Sequence, residues 1–364
     1  MSARFTLKAS NGRSDIAVGE AMTALPDALS KYARPGAKVA VVSDAAISGR
    51  QGKPLVSGLT GAGYDATLLE VPSGEKSKDL KQAGQLYRRL AKDKFERGSW
   101  LVALGGGVVG DLTGFVAATY LRGISYVQAP TTLLAQVDSS LGGKTGVDIP
   151  EGKNLVGAFH HPALIWIDPA ALKTLPKAHW RTGMAEVIKY GAIWDAKLFE
   201  TLEKSADDLM KGYSPAWVPI ITRCAQIKAD VVSKDPTETK GLRALLNFGH
   251  SVGHAIEGAT GYEIYSHGEA ISIGMFVAGF LSQQYGLMDG IDRIRLGTLL
   301  TKAGLPARVR RPIRRERLME FLARDKKAEA GVVRFVLLKG IGKAVSGQAI
   351  DPEYLDAALS ASGL

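Results

Sequence analysis

Three of the six histidines of this chain fall in one short window, NFGHSVGHAIEGATGYEIYSHGE, between Asn247 and Glu269. His250 and His254 are four residues apart, so a helix through HSVGHAIE puts both imidazoles on one face. Neutral imidazoles in that arrangement can chelate zinc. The same pair would serve as a core feature or as support beside a site. His267 adds a third nitrogen, just ahead of a new apolar helical pattern. A carboxylate would then complete a catalytic site that keeps one position open for substrate. Glu186, in GMAEVIKYG, offers one from a mostly apolar stretch, with Lys189 three residues on and on the same face. Burying that charged pair without compensation costs several kcal/mol. The pair reads either as an internal salt bridge or as part of the metal site.

A second chemistry lies in LGGGVVGDLTGF, where Gly105, Gly107 and Gly110 satisfy G-x-G-x-x-G between a strand-like run and a helix-like one. Glycines there let backbone N–H groups approach a pyrophosphate, and a helix N-terminus favours its charge. The loop lies far from the first strand, and the next acid after Asp111 is Asp138. It reads as a tight turn, or as a dinucleotide cradle whose ribose is held from elsewhere. Asp44 and Glu75, each in a loop after a strand pattern, are candidates for that. Thr131, Thr132, Lys144, Thr145, Lys153, Asn154, Lys228, Arg243, Asn247, Arg122 and the Asp325–Lys327 triplet add groups suited to a small, multiply anionic ligand.

The elements that must position these groups change character along the chain. Up to about residue 178, short apolar runs (KVAVVSD, DATLLEV, SWLVALG, ISYVQAP, ALIWIDP) alternate with helical spacing such as Leu80, Ala83, Leu86 and Leu90. That alternation predicts a Rossmann-like α/β domain with a parallel sheet, residues 1–178. From about His179 helical patterns dominate, and strand-like runs are scarce until VVRFVLLKGIG. The expectation is a mainly α-helical second domain, residues 179–364. At 364 residues, two domains is also the ordinary count.

Composition narrows the function classes. Hydrophobic residues are 46% and charged residues 23%, as in a globular protein with a substantial core. A single cysteine, Cys224, allows no intramolecular disulfide and fits a reducing compartment. The opening MSARFTLKAS has no apolar stretch of signal-peptide length; AISIGMFVAGFL falls far short of the roughly 20 residues of a membrane span, and the longer LVALGGGVVGDLTGFVAATYL carries Asp111 and too many glycines. A cytoplasmic protein is expected, with no membrane partner. The net charge of +10 suits either a polyanion or a small anionic substrate. Glu316, Glu320 and Asp325 interrupt the most basic segment, and no base-reading motif is present, so no nucleic-acid partner is expected.

Taken together and in order, PSGEKSK, GGGVVGDLTGF, QAPTTLLAQVDSSLGGKTGVD, GKNLVGAFHHP, LKTLP, RTGMAEVIKYG, LLNFGHSVGHAIE, SHGEAISIGM and RDKKAEAGVVRFVLL closely resemble the 3-dehydroquinate synthase family of sugar-phosphate cyclases. The segments run from about residue 70 to 340. The resemblance implies an NAD-binding α/β domain followed by a helical one. It implies metal ligands at Glu186, His250 and His267, with His254 a neighbour of the site. It places NAD at Asp44, at Ser73, Gly74, Glu75, Lys76, Ser77 and Lys78, and at Gly107, Val108, Val109, Gly110 and Asp111. Thr131, Thr132, Lys144, Lys153, Ala171, Leu172, Lys173 and Thr174 complete that set. Ala46 stands where the family often has Asn. The substrate positions implied are Arg122, Asp138, Lys144, Lys153, Asn154, Lys189, Lys228, Arg243 and Asn247, with one more lysine from Lys326 and Lys327.

The implied reaction converts 3-deoxy-D-arabino-heptulosonate 7-phosphate into 3-dehydroquinate and phosphate, the second step of the shikimate pathway. It couples oxidation by NAD, phosphate elimination, reduction and an aldol closure, with one Zn2+ or Co2+ ion. NAD is returned unchanged, and a homodimer is the family expectation. Lys189 would orient substrate oxygens, and His254 and Asn247 would relay protons. Two alternatives share parts of this pattern: another sugar-phosphate cyclase, and a metal- and NAD-dependent alcohol dehydrogenase. The latter would form net NADH and would not need so many anion-binding residues.

Overall fold

Strand β3 (Lys38–Asp44) shows how the first unit is built. Val39 and Val41 pack into the core on one face of the sheet and Ala40 and Val42 on the other, because successive strand side chains point to opposite faces. A strand buried on both faces needs helices on both. In the computed structural model, which describes residues 2–323 and 334–364, they are present.

The sheet has seven strands in the order β1-β2-β9-β6-β5-β3-β4. Besides β3 these are β1 (Ala3–Ala9), β2 (Gly12–Val18), β4 (Asp65–Val71), β5 (Trp100–Gly105), β6 (Ser125–Pro130) and β9 (Leu164–Ile167). All five strands read from the sequence are there and run parallel. The β1–β2 hairpin is an addition: β2 joins β9 in parallel and β1 closes the edge antiparallel. Its outer strand is half exposed and so lacks the continuous apolar run that marks the inner strands.

Helices α1 (Leu25–Leu29), the single turn α2 (Ala45–Ile47) and α3 (Lys53–Gly61) precede β4. They are followed by α4 (Leu80–Lys92) and α5 (Gly107–Thr119). In α4 the expected Ala83, Leu86 and Leu90 are buried, whereas Leu80, in the first turn, is 51% exposed. A separate ribbon, β7 (Lys144–Ile149) and β8 (Gly152–Phe159), packs on α5 through Val147. Strand β3 has β4 on one side and β5 on the other, so the strand order reverses there. The crevice for a ligand in an open α/β sheet lies beyond the strand C-termini at such a point.

The remaining helices are α6 (Lys177–Trp194), α7 (Ala196–Leu209), α8 (Trp217–Lys234), α9 (His250–Ala259), α10 (His267–Gln284), α11 (Gly290–Lys302) and α12 (Arg315–Ala323). A hairpin, β10 (Arg334–Leu338) with β11 (Ala344–Ala349), and α13 (Pro352–Ala361) end the chain. The chain divides into Met1–Leu175 with Pro215–Ser233, and Pro176–Ser214 with Lys234–Leu364. Sequence reading sets one boundary after residue 178; in the structure α8 groups with the α/β unit. Helical periodicity shows that α8 has an apolar face, including Ile220, Ile221 and Cys224, but not which core that face joins. No helix among the described residues is long and apolar enough to cross a membrane.

Candidate active site

In the second unit, α6 is buried nearly all round its middle, from Gly183 to Ile193. It carries Glu186 and Lys189 into that interior, where the two are 1% and 2% exposed and Lys189 Nζ lies 2.5 Å from Glu186 Oε2. The other two candidate ligands each open a helix. His250 is the first residue of α9, behind Gly249 in a left-handed conformation (φ 79°). His267 is the first residue of α10, fixed by a capping box in which the Ser266 hydroxyl accepts from the Glu269 N–H and Glu269 accepts from the Ser266 N–H. Nε2 of His250 and Nε2 of His267 both lie 3.4 Å from Glu186 Oε1. The three ligand atoms fall within 4.8 Å of one another.

The outer ring nitrogens are also engaged. His250 Nδ1 is 3.2 Å from the Phe248 carbonyl oxygen, and His267 Nδ1 is 3.4 Å from Glu257 Oε2. An Nδ1–H donated outward leaves the Nε2 lone pair for a cation. Electrostatics favour positive charge here. Burial alone would raise the Glu186 carboxyl, but Lys189, His250 and His267 hold it well below the usual range. Burial lowers His250 despite Glu186. Burial also opposes a proton on His267, yet Glu186 and Glu257 outweigh it and push that imidazole up to about 10. Two imidazoles and one carboxylate, with their outer atoms held, fit a catalytic Zn2+ or Co2+. His254 is exposed; its ring meets that of His250 edge-on at 5.2 Å, and it groups with Glu257 and His267 in a second donor set.

Glycines let these helices approach closely, and sequence reading did not single them out. A Cβ on Gly268 would sit 2.4 Å from Thr182 Cα on α6, and one on Gly274 would sit 1.9 Å from the Gly249 carbonyl oxygen. Gly253 likewise faces Ile271 Cα at 3.0 Å. For Gly253 and Gly268 a signal was present, beside His254 and His267 in GH and HGE; Gly274 flanks no histidine.

In the first unit the cofactor candidates gather at the C-terminal ends of the strands. Asp44 closes β3, accepts the Ala46 N–H at 2.8 Å and receives the Ser73 hydroxyl. Gly107 to Asp111 form the first turns of α5 behind β5. The Thr131 N–H donates to the Gly105 carbonyl at 2.9 Å, fastening the end of β6 to the glycine loop. Thr132 crowds Gly106, where a Cβ would meet its methyl at 3.0 Å. Ala171 to Thr174 lie in a short helix after β9. Lys78, 4% exposed, is the hub. Its Nζ lies 2.7 Å from Asn154 Oδ1, 3.0 Å from Glu75, 3.2 Å from Asp111 and 3.8 Å from Asp148. Burial opposes the Lys78 charge, but Asp111, Glu75 and Asp148 raise its pKa. Burial lifts Asp111 to about 6 even beside that lysine. Lys153 Nζ reaches Glu75 at 3.9 Å. Asp148 was not anticipated; nothing in its local sequence marks it.

Among the substrate candidates, Lys228 on α8 donates to Asp138 at 2.7 Å. Arg243 is 3% exposed; its guanidinium donates to the Pro236 carbonyl and its N–H to Asp235. Asn247 donates to Glu238 at 3.2 Å. Lys144 is exposed at the start of β7. Arg122 stands apart. It lies after α5 and before β6, with φ 66°, and so at the N-terminal end of the parallel strands, opposite the glycine loop. Lys326 and Lys327 lie outside the described residues.

Comparison with known proteins bears directly on this geometry. Residues 68–182 match the model of the 3-dehydroquinate synthase N-terminal domain, and residues 183–328 that of its C-terminal domain. A 3-dehydroquinate synthase of Nostoc punctiforme is 50% identical over 84% of this chain and 85% of its own length. The chain belongs to the 3-dehydroquinate synthase family. The family's activity is a step of the shikimate pathway, and the chain carries the family over both units. Among solved structures, a 2-epi-5-epi-valiolone synthase from Streptomyces hygroscopicus, with NAD+ and Zn2+ bound, aligns with a TM-score of 0.88 at 29% identity, covering 96% of each chain. A 2-deoxy-scyllo-inosose synthase, complexed with carbaglucose-6-phosphate, NAD+ and Co2+, aligns with a TM-score of 0.87 at 26% identity, covering 99% of this chain and 100% of that one. The cyclase architecture is thus common to several substrates, while sequence identity is much higher with the 3-dehydroquinate synthases.

Proposed function

We propose that this chain converts 3-deoxy-D-arabino-heptulosonate 7-phosphate to 3-dehydroquinate and phosphate using NAD and one divalent cation, Zn2+ or Co2+. The observation that carries this reading is the convergence of Glu186, His250 and His267 in a chain of this family. In the proposal those three residues hold the cation. NAD is held by Asp44 with Ser73 to Lys78, by Gly107 to Asp111, by Thr131, Thr132, Lys144 and Lys153, and by Ala171 to Thr174. When bound, NAD supplies reversible hydride transfer and the cation acidifies a hydroxyl.

The chain's own residues do the rest. The Lys78 hub locks Glu75, Asp111 and Asn154 into one arrangement. The Pro236 carbonyl and the Asp235 carboxylate hold Arg243, and Asp138 holds Lys228. Cations fixed in this way recognise the carboxylate and phosphate of the substrate with little ordering cost. Lys189, held by Glu186, orients substrate oxygens, and Asn247 and His254 serve proton movement during ring opening and closure. The substrate's own phosphate accepts the proton lost before elimination, so no strong protein base is needed. The net charge of +10 serves this multiply anionic ligand and no nucleic acid. A cytoplasmic location goes with the biosynthetic role; finding the enzyme in membrane pellets on fractionation would contradict it.

The test follows phosphate release from this substrate and NADH absorbance in one cuvette. Phosphate release is expected to need both NAD+ and the cation, to stop on chelation, to return with zinc, and to leave no net NADH. Net NADH would point to a dehydrogenase. Release only from sedoheptulose 7-phosphate or glucose 6-phosphate would point to another cyclase.

The position of Arg122 carries a second expectation. Because it lies at the opposite end of the sheet from the cofactor segments of its own chain, we infer that it acts on substrate from a second copy, which accords with a homodimer. Lys189→Ala is expected to keep its cation and lose turnover, and Arg122→Ala to lose turnover as well. Co-expressed, the two should recover about a quarter of the native rate, because half the dimers are mixed and each mixed dimer has one intact site. Native turnover by Lys189→Ala, or no recovery on co-expression, would count against these roles.

A further inference from the structure

Glu257 has no place in the roles assigned above, yet it is buried, at 8% exposure, against one of the proposed metal ligands. It lies on α9 three residues after His254 and seven after His250, so the three side chains share one helix face. Its Oε2 is 3.4 Å from His267 Nδ1. On the far side of the same ring, Nε2 is 3.4 Å from Glu186 Oε1. The imidazole is thus clamped between two carboxylates, one through each nitrogen. His250 is oriented differently, by the neutral carbonyl of Phe248.

We propose that Glu257 is a positioning residue for the metal centre: its carboxylate accepts the Nδ1–H of His267, selects the tautomer whose Nε2 lone pair faces Glu186, and adds a negative charge behind the ligand. The inference rests on the reading that Glu186, His250 and His267 hold the cation. Three arguments support it. Once a cation has displaced the proton on one nitrogen, the imidazole keeps a single N–H, so a carboxylate at Nδ1 decides which nitrogen is left to coordinate. A carboxylate behind a ligand imidazole raises its basicity and restricts its rotation, and removing such a partner typically weakens metal affinity about 10- to 100-fold. His267 is also the ligand that most needs restraint. It sits in the first turn of α10 and is 28% exposed, whereas the Glu186 side chain is 1% exposed.

The test uses full-length protein stripped of metal. Zn2+ affinity is measured by competition with a chromophoric chelator, cation stoichiometry by mass spectrometry, and geometry by the visible absorption of the Co2+ form. The chains compared are native, Glu257→Leu, Glu257→Gln and His250→Ala, with the melting temperature of each metal-free form as the folding control. Glu257→Leu is expected to bind Zn2+ about 10- to 100-fold more weakly and to shift the Co2+ bands. Glu257→Gln keeps an acceptor but no charge, so an intermediate loss is expected; should the leucine variant fail to fold, this variant carries the test. Native affinity and an unchanged Co2+ spectrum in the folded Glu257 variants would overturn the proposal. So would two cations per native chain with one lost on removing Glu257, which would make His254, Glu257 and His267 a site of their own. His250→Ala separates the two levels: if it binds Zn2+ like the native chain, the metal-centre reading itself falls. If it loses Zn2+ while the Glu257 variants do not, only the role of Glu257 falls.

Discussion

A Glu186→Gln chain is expected to lose the divalent cation proposed above and to form 3-dehydroquinate at least about a thousandfold more slowly than native. Glutamine has the shape of glutamate, so the substitution removes charge and little else. The charge holds the site together: Oε1 faces Nε2 of both His250 and His267, and Oε2 pairs with Lys189 in the interior of α6. Neutralising it leaves the ammonium of Lys189 buried without its counter-ion, and breaking a buried pair from one side costs about 3–5 kcal/mol. The variant should therefore also melt earlier. Glu186→Gln with Lys189→Met removes both charges, and part of the stability should return while neither cation nor activity does. Metal content, melting temperature and product formation on the same preparations separate these effects. Stoichiometric zinc and native turnover in Glu186→Gln would remove Glu186 from the metal site.

The second large effect comes from one methyl group. Gly274 lies on α10 where the helix crosses the start of α9, and a Cβ there would lie 1.9 Å from the Gly249 carbonyl oxygen. The obstacle is backbone, so no rotamer change relieves it and the helices must separate. Gly249 cannot yield either, since its φ of 79° is left-handed and Met275 and Ile271 already crowd it. The cost should exceed the roughly 1–3 kcal/mol usual for overpacking. Because His250 and His267 open the two helices concerned, the separation also pulls the ligands apart. Gly274→Ala is expected to lower the melting temperature and weaken Zn2+ binding together. Gly297→Ala is the control: it lies inside α11, where an added Cβ meets only Phe276 at 3.8 Å. There the better helix propensity of alanine should stabilise by up to about 1 kcal/mol. A Gly274→Ala chain as stable and as tightly metal-binding as native would show that the crossing does not set the ligand geometry.

How much of this could be read before the fold was known differs between the two units. The five strands β3, β4, β5, β6 and β9, together with α4, were legible because burial on one or two faces imposes a local period. The β1–β2 hairpin was not, because a half-exposed edge carries a weaker pattern. The glycine loop was legible as a strand–turn–helix, and the structure places it where the strand order reverses. The ribose side proposed for it depended on β3 and β4 being neighbours, which brings Asp44 to Ser73.

By itself the sequence determined the family, the division into an α/β part and a helical part, and the three residue types able to hold a cation. It determined these because they rest on local periods and on motifs a few residues long. The tertiary structure alone decided that α8 belongs with the sheet, that Lys78 gathers three carboxylates, that Arg122 lies at the opposite end of the sheet from its own cofactor segments, and that Glu257 stands behind His267. Each of these depends on which faces meet and how closely. In the helical unit that distance is set by glycines whose missing side chains leave no periodic mark, so the spacing of His250 and His267 around Glu186 exists only once α6, α9 and α10 have packed backbone to backbone.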